Sequence, residues 1–410
     1  MKFNIITFGC KVNQYESNMM KESLLHHNFS YEENLANCNI LIVNTCTVTN
    51  VADHKCLKMI RHLKREYPSC ILVVAGCSSQ NKQELYQTLD IDILLGNKDK
   101  SHVADLLMDF IGSHEKYSKF YNERNLEFED MTINSFNHIR AFIKIEDGCD
   151  NFCSYCIIPY VRGSVRSKNY ATVLKEANTL ANNNHQEIVL TGIHTGRYFD
   201  SNHDLADLIN DLSKIENLKR IRISSIEITE LGDKFLDALK NNPKVCNHLH
   251  IPLQSGSDTI LKKMNRKYDL AFFEKKIQEI RNIRPDISIT TDIIVGHPYE
   301  TEENFLECLD FVRKIGFSKI HVFPYSIREG TAAAKMPNQV PGNIKKDRVK
   351  RLISLSNELE KEYYQKFIGK SVDVLIEECD NNVSFGHTSN YLYVEIPKKL
   401  EKGRIYSIVL

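Results

Sequence analysis

Three times in the first hundred residues the chain repeats one local pattern: an apolar run of strand length, a small turn, a cysteine and an amphipathic helical stretch. Asn4–Phe8 leads to Gly9 and Cys10, with helical periodicity from about Asn13. Asn39–Asn44 (NILIVN) leads to Thr45 and Cys46, then a helix through Arg65. Ile71–Ala75 leads to Gly76 and Cys77, then a helix from about Asn81. A fourth run, Ile91–Leu95, ends at Gly96. Near-continuous apolar strands alternating with helices predict a parallel sheet covered on both faces. Such sheets bind ligands beyond the carboxyl ends of their strands. Cys10, Cys46 and Cys77 each follow such an end, so the pattern predicts that they converge on one edge despite their separation in sequence.

Cysteine is among the most buried residue types, so packing is the alternative reading of any one thiol. Cys38, Cys56, Cys70, Cys246, Cys308 and Cys379 are read that way, because they share no position in the pattern. For the strand-end trio the shared position favours ligation. Three thiolates suit an iron–sulfur cube in which one iron has no protein ligand. The full set of 12 cysteines would pair by oxidation outside a reducing compartment. The sequence has no apolar run of membrane length, and MKFNIITFGC is too short in apolar residues for a signal peptide. These features predict a cytoplasmic enzyme of two or three domains with no membrane partner. Lys plus Arg equals Asp plus Glu at 53 each, so any RNA binding must come from local patches.

From Ala141 the alternation resumes with a longer repeat. Strands are expected at Ala141–Ile145, Glu187–Thr191, Arg220–Ser225, His248–Gln254, Ser288–Val295 and Lys319–Tyr325. Helical stretches such as Ala171–Asn182, Leu205–Ile215 and Thr301–Ile315 lie between them. Six βα units of this size predict a partial barrel with its strand-following loops on one face. The first of those loops is KIEDGCDNFCSYCIIPYVRG, in which Cys149, Cys153 and Cys156 form a Cys-x-x-x-Cys-x-x-Cys run. Three close thiolates again suit a cube with one open iron. A structural zinc ion would want a fourth ligand, and His138 and Cys246 are poorly placed to supply it. The ends of later strands offer Thr191-Gly192, Ser225 with Glu227, Gln254-Ser255-Gly256 and Gly296. These read either as cofactor contacts at the mouth or as ordinary turn chemistry.

Lys345, Lys346, Arg348, Lys350 and Arg351 form a basic start to a helix running to about Phe367, which is either a solvated face or a contact to RNA phosphates. After Gly369, SVDVLIEE, YLYVEIP and RIYSIVL alternate as strands of a small β-barrel. That module is not basic, so Phe385, His387, Asn390, Tyr391 and Tyr393 would have to supply any RNA recognition, by stacking and hydrogen bonding.

With both trios and the barrel in view, the chain resembles the radical S-adenosylmethionine (SAM) methylthiotransferases over essentially its full length. The resemblance rests on TFGCKVNQYES, IVNTCTVT and VAGCSSQ in the first domain. In the second it rests on KIEDGCDNFCSYCIIPYVRG, EIVLTGIHTG, RIRISSIE, HIPLQSGSDTILKKMNRKY and TTDIIVGHPYETEENF, and FIGKSVDVLIEE with GHTSNYLYVEIP resembles the family's RNA-binding TRAM module. It implies an α/β chain of three parts: a parallel α/β domain over 1–115, a partial (βα)6 radical SAM barrel over 135–366, and a TRAM-like β-barrel over 367–410. It implies two [4Fe-4S] clusters, one on Cys10, Cys46 and Cys77 and a catalytic one on Cys149, Cys153 and Cys156. SAM would meet Tyr155, Thr191, Gly192, Ser225, Glu227 and Gln254. GCKVNQYES is similar to the subgroup that methylthiolates C2 of N6-threonylcarbamoyladenosine 37 in tRNA. The implied partners are the tRNA anticodon loop, an electron donor such as a flavodoxin or ferredoxin, and a sulfur source. The alternatives are N6-isopentenyladenosine 37, an aspartate of ribosomal protein S12, or a zinc-stabilised RNA-binding protein without catalysis. The chain departs from the family where GHPYETEE replaces the common GFPGETEE, and where Phe199 replaces a common Gly after GIHTGRY.

Overall fold

The computed structural model describes residues Met1–Leu410. The chain forms two compact units, the first comprising Met1–Ile133, Glu146–Asp150 and Cys156–Lys168, the second the remainder. A stretch inside the expected barrel domain, Cys156–Lys168, thus packs with the first unit.

In the first unit six strands form one parallel sheet in the order Ser30–Tyr31, Lys2–Thr7, Ile40–Thr45, Ile71–Gly76, Ile93–Leu95, Tyr117–Lys119. The two edge strands were not expected, because they are too short and polar to show a period. Every residue of the central Ile40–Thr45 strand is buried, as a strand covered on both faces must be. Helix Asn50–Glu66 is capped by the Thr49 side chain and buries Asp53, Cys56, Leu57, Ile60 and Leu63, one stripe at helical spacing. Its Leu57, Ile60 and Leu63 join Leu41, Val43, Leu72, Val74, Cys38 and Cys70 in one core. The helix expected from Asn81 begins instead at Cys77 and breaks at Lys82, giving the short helices Cys77–Asn81 and Gln83–Gln87.

In the second unit the six expected strands are present and parallel. Arg140–Lys144, Glu187–Thr191 and Arg220–Ile223 pair in sequence, as do His248–His250, Ser288–Val295 and Lys319–Pro324. Single bridges, Ile221 to Val245 and Ser225 to His250, join the two halves. The fourth strand stops well short of Gln254, and Pro252 in the run after it cannot donate to a ladder. Ala141, Ile143, Ile188, Leu190, Ile221, Ile223, Ile289 and Ile293 are buried on the outer, helix-covered face. The residues between them point inward and are largely polar.

The C-terminal segment is a four-stranded antiparallel sheet ordered Tyr393–Ile396, Val383–Thr388, Ser371–Asp380, Ile405–Val409. It packs on Tyr363 and Phe367 at the end of the long helix Gly342–Gln365. The sheet sits at the amino ends of the barrel strands. There Arg220 donates to the Asp373 carbonyl at 2.6 Å, Arg222 to that of Thr388 at 3.2 Å, and Arg140 pairs with Glu377 at 3.0 Å. Glu187 balances these cations, accepting from Arg222 Nε at 2.6 Å.

Two expectations about RNA contacts change here. Tyr391 stacks on His248 at 4.8 Å and on His387 at 4.7 Å, and Asn390 donates to the Tyr363 hydroxyl at 3.1 Å. Those three residues dock the module onto the barrel, leaving Tyr393, 56% exposed, and its stacking neighbour Phe385 on the open side. In the basic helix start Arg348 is buried and pairs with Glu300 at 2.6 Å, Arg351 pairs with Glu302 at 2.6 Å, and Lys345 donates to the Tyr325 carbonyl at 3.1 Å. Only Lys346 and Lys350 of the five are exposed.

Candidate cluster sites and the barrel mouth

The loops after the Lys2–Thr7, Ile40–Thr45 and Ile71–Gly76 strands are stitched together by side chains from the chain's own motifs. Asn13, one turn into its helix, donates to the carbonyls of Phe8 at 2.8 Å and Thr45 at 2.9 Å. Thr45 Oγ1 donates to the Ala75 carbonyl at 2.8 Å. Glycine is required beside two of the cysteines. A Cβ at Gly9 (φ +105°) would lie 2.7 Å from Cys46 Sγ, and one at Gly76 (φ +115°) 2.4 Å from the Thr45 carbonyl oxygen. Cys10 caps the helix Lys11–His26 and is exposed, Cys46 is buried, and Cys77 opens its own short helix.

Burial pushes the Cys46 thiol up to about 12, and proximity to Cys77 and Cys10 adds to the rise. Burial likewise pushes the Cys77 thiol up, and two buried thiols of this kind become thiolates together when a cation compensates them, which is what metal ligation supplies. Cys56, read from sequence as a packing thiol, lies directly behind Cys46. The Cys46 N–H points at its Sγ at 3.5 Å. A sequence signal existed: Cys56 lies on the buried stripe of its helix, facing the sheet.

Cys149 and Cys156 belong to the first unit and Cys153 to the second. The Cys149 N–H donates to the Gly163 carbonyl at 3.0 Å, and Gly148 (φ +86°) admits no Cβ, which would sit 2.1 Å from the Ser164 oxygen. In the second unit, the segment around Cys153 is held from several sides. Asn265 Nδ2 donates to the Phe152 carbonyl at 3.0 Å, the Ser154 N–H to that of Met264 at 2.9 Å, and the Ala333 N–H to that of Ser154 at 2.7 Å. Ser154 Oγ lies 3.0 Å from His297 Nε2. His297 is one of the two residues, with Tyr299, by which GHPYETEE departs from the family, and here it braces the cysteine loop. Burial lowers its pKa from the usual 6.5 to about 4, so it is neutral.

Arg266 is the functional residue most clearly missed from sequence. Its guanidinium donates to Cys153 Sγ at 3.2 Å and pairs with Glu227, while Tyr268 beside it anchors to the carbonyls of Pro252 and Leu253. Of the residues expected to meet the cofactor, Thr191, Gly192, Ser225, Glu227 and Gln254 all lie at or beyond the carboxyl ends of their strands. Thr191 is buried, with its carbonyl taken by the Ile145 N–H, and the Ser225 carbonyl accepts from Thr195. Gln254 holds φ +67°, an uncommon conformation for a non-glycine residue, while its N–H donates to the Asp292 carbonyl at 2.8 Å and its carbonyl accepts from the Ile294 N–H at 2.9 Å. Tyr155 meets His297 edge to face at 6.5 Å.

One layer below the strand ends, the inner face carries a polar set that the sequence did not reveal. Register places His250 opposite Thr290 and Asp292 opposite His321, so all four side chains share that face. His250 Nδ1 lies 2.9 Å from Thr290 Oγ1 and its Nε2 3.3 Å from Asp292 Oδ2. The ligating atoms of His250, Asp292 and His321 fall within 4.8 Å of one another.

Comparison with known proteins identifies the family. The Radical SAM superfamily model matches residues 143–312, and that of the uncharacterized protein family UPF0004 matches residues 2–96. The threonylcarbamoyladenosine tRNA methylthiotransferase MtaB of Bacillus subtilis is 38% identical over 399 residues, 95% of this chain and 88% of the relative. The chain belongs to the radical SAM tRNA methylthiotransferases. The MtaB of Aquifex aeolicus is 34% identical across 100% of both chains. A tRNA-2-methylthio-N(6)-dimethylallyladenosine synthase of Alkaliphilus oremlandii is 36% identical, covering 94% of this chain and 85% of that one. A solved radical SAM methyltransferase, TsrM of Kitasatospora setae with cobalamin and a [4Fe-4S] cluster bound, shares the fold at a TM-score of 0.59 and 14% identity, over 79% of this chain and 74% of that one. Enzymes of this methylthiotransferase family use SAM and [4Fe-4S] clusters, and the two cysteine trios have the donor chemistry such clusters need. No helix is long and apolar enough to cross a membrane.

Proposed function

We propose that this enzyme inserts a methylthio group at C2 of N6-threonylcarbamoyladenosine 37 in the anticodon loop of cytoplasmic tRNA. The two cysteine trios support the reaction. The C2–H of an adenine has no useful acidity, so no side-chain base removes it. A [4Fe-4S] cluster on Cys149, Cys153 and Cys156 supplies, when bound, the electron that cleaves SAM to a 5′-deoxyadenosyl radical. Arg266, held by Glu227, steadies the Cys153 sulfur. Glu227, Gln254 and Tyr155 line the end of the barrel where SAM is expected, with Thr191, Gly192 and Ser225 shaping the turns beneath. Cys10, Cys46 and Cys77 would hold a second cluster, which would supply the sulfur. An electron donor such as a flavodoxin or ferredoxin, and a sulfur source, complete the cycle. Loop bases unstack at low cost, which makes position 37 accessible.

The observation that carries the choice of substrate is the His250–Asp292–His321 set on the inner face. A threonylcarbamoyl group brings a carboxylate, a hydroxyl and urea N–H groups, which give those side chains partners. A dimethylallyl group would leave the half-buried His250 imidazole and Asp292 carboxylate against hydrocarbon, at a cost of about 1–3 kcal/mol. The dimethylallyl reading stays as the second one because relatives with that name are nearly as similar as the MtaB proteins. Reconstituted enzyme assayed on tRNA bearing either modification tests this. The threonylcarbamoyl substrate should be preferred, and Asp292→Asn should erode the preference by roughly tenfold, about 1.4 kcal/mol. Preference for the dimethylallyl substrate would overturn it.

A further inference from the structure

Arg162, at the end of the helix that follows the Cys149–Cys156 loop, is 1% exposed. Burying a guanidinium costs several kcal/mol unless its donors are all answered. Arg162 spends only part of its donors on carboxylates. One terminal nitrogen donates to Glu16 and Asp147, each at 3.0 Å, and the other to Asn13 Oδ1 at 2.9 Å. Neither carboxylate is reserved for it, since Glu16 also pairs with Lys100 and Asp147 with Arg166. Its Nε points at Cys77 Sγ, 3.2 Å away.

The backbone holds this aim. Ile157 and Val161 pack against Cys77. Asn97 Nδ2 donates to the Val161 carbonyl at 2.9 Å. Gly163 turns the chain at φ +78°, where a Cβ would lie 2.6 Å from the Arg124 carbonyl oxygen. Asn13, which ties the Cys10 and Cys46 loops together, is also an Arg162 partner, so the guanidinium is braced against the same loops it serves.

We propose that Arg162 is a positioning residue for the cluster on Cys10, Cys46 and Cys77, donating a charge-assisted N–H···S hydrogen bond to the Cys77 sulfur and so raising that cluster's reduction potential. The inference rests on the reading of that trio as a cluster site. Hydrogen bonds and positive charge at ligand sulfurs favour the reduced, more negative cluster. A raised potential suits a cluster that must accept the electron left over when a carbon radical at C2 bonds to sulfur: the new C–S bond takes one electron from the radical and one from the sulfur–iron bond, and the other electron of that bond stays on the cluster.

The test is a redox titration followed by electron paramagnetic resonance on the reconstituted holoenzyme, with iron content measured alongside. The signal that shifts when SAM is added is assigned to the Cys149–Cys153–Cys156 cluster, and the SAM-insensitive signal to the other. Arg162→Gln should lower the reduced fraction of the SAM-insensitive cluster about tenfold at a fixed potential, 59 mV for one electron. Arg162→Lys, which keeps the charge, should restore a good part of it. An unchanged midpoint in Arg162→Gln overturns the proposal. Should that variant fail to hold iron, the wild type decides: with 15N-labelled arginine, pulsed resonance must detect an arginine nitrogen coupled to the SAM-insensitive cluster, and its absence refutes the hydrogen bond. If the wild type shows no SAM-insensitive cluster at all, the cluster reading of Cys10, Cys46 and Cys77 falls first and this inference with it.

Discussion

At the scale of single residues, the structure turns on small groups that let sulfur atoms approach and on polar groups that hold them there. Gly76 cannot carry a Cβ without displacing the Thr45 backbone. Gly76→Ala should therefore distort the Cys77 turn, destabilise the protein by about 1–3 kcal/mol and lower bound iron, while SAM cleavage at the other trio persists. Iron analysis with a deoxyadenosine assay checks this. His297 gives a pH dependence of definite sign. Its pKa falls from 6.5 to about 4 on folding, so the unfolded chain binds more protons between those values. Its contribution, on the order of 3 kcal/mol, is present above pH 6.5 and lost as pH falls toward 4. In His297→Phe, urea midpoints should fall less steeply over that window; equal slopes would count against the assignment. The cysteine trios were legible in the sequence because spacing and strand ends are local. Arg162, Arg266 and His297 were not, because each acts on a cysteine turn far away in the chain.

At the scale of elements, the long helix Gly342–Gln365 shows how a charge run misleads. Arg348 lies in register with Leu352, Leu355, Leu359 and Tyr363, all buried, so the helical period had already placed it inward. Its partner Glu300 is also buried. Arg348→Ala should cost about 3–5 kcal/mol, since it strands a buried carboxylate, whereas Lys346→Ala and Lys350→Ala should stay within about 0.5 kcal/mol. Denaturant unfolding separates the two classes. The same logic explains the barrel's inner face. Alternation along Ser288–Val295 was visible, but which strand partners it would meet was set by register, so the His250–Asp292–His321 set emerged only in three dimensions.

For the whole molecule, the order of the sheets, parallel strand–helix regions and then a small antiparallel sheet, followed from the period of the sequence, while the docking of the last sheet did not. Tyr391 holds φ +67° and wedges between His248 and His387, a fit that no local pattern announces. Tyr391→Ala should loosen that docking and lower stability by about 3–5 kcal/mol. Tyr393→Ala, on the open side, should leave stability intact and weaken tRNA binding by about 1–3 kcal/mol if it stacks on a base. Thermal unfolding and tRNA titration distinguish them. The reaction itself is tested by nucleoside mass spectrometry of bulk tRNA from cells with and without this gene. Loss of 2-methylthio-N6-threonylcarbamoyladenosine, with its unmethylthiolated precursor accumulating, is the predicted result. Persistence of that nucleoside in the deletion, in cells with no second enzyme of this kind, would contradict it.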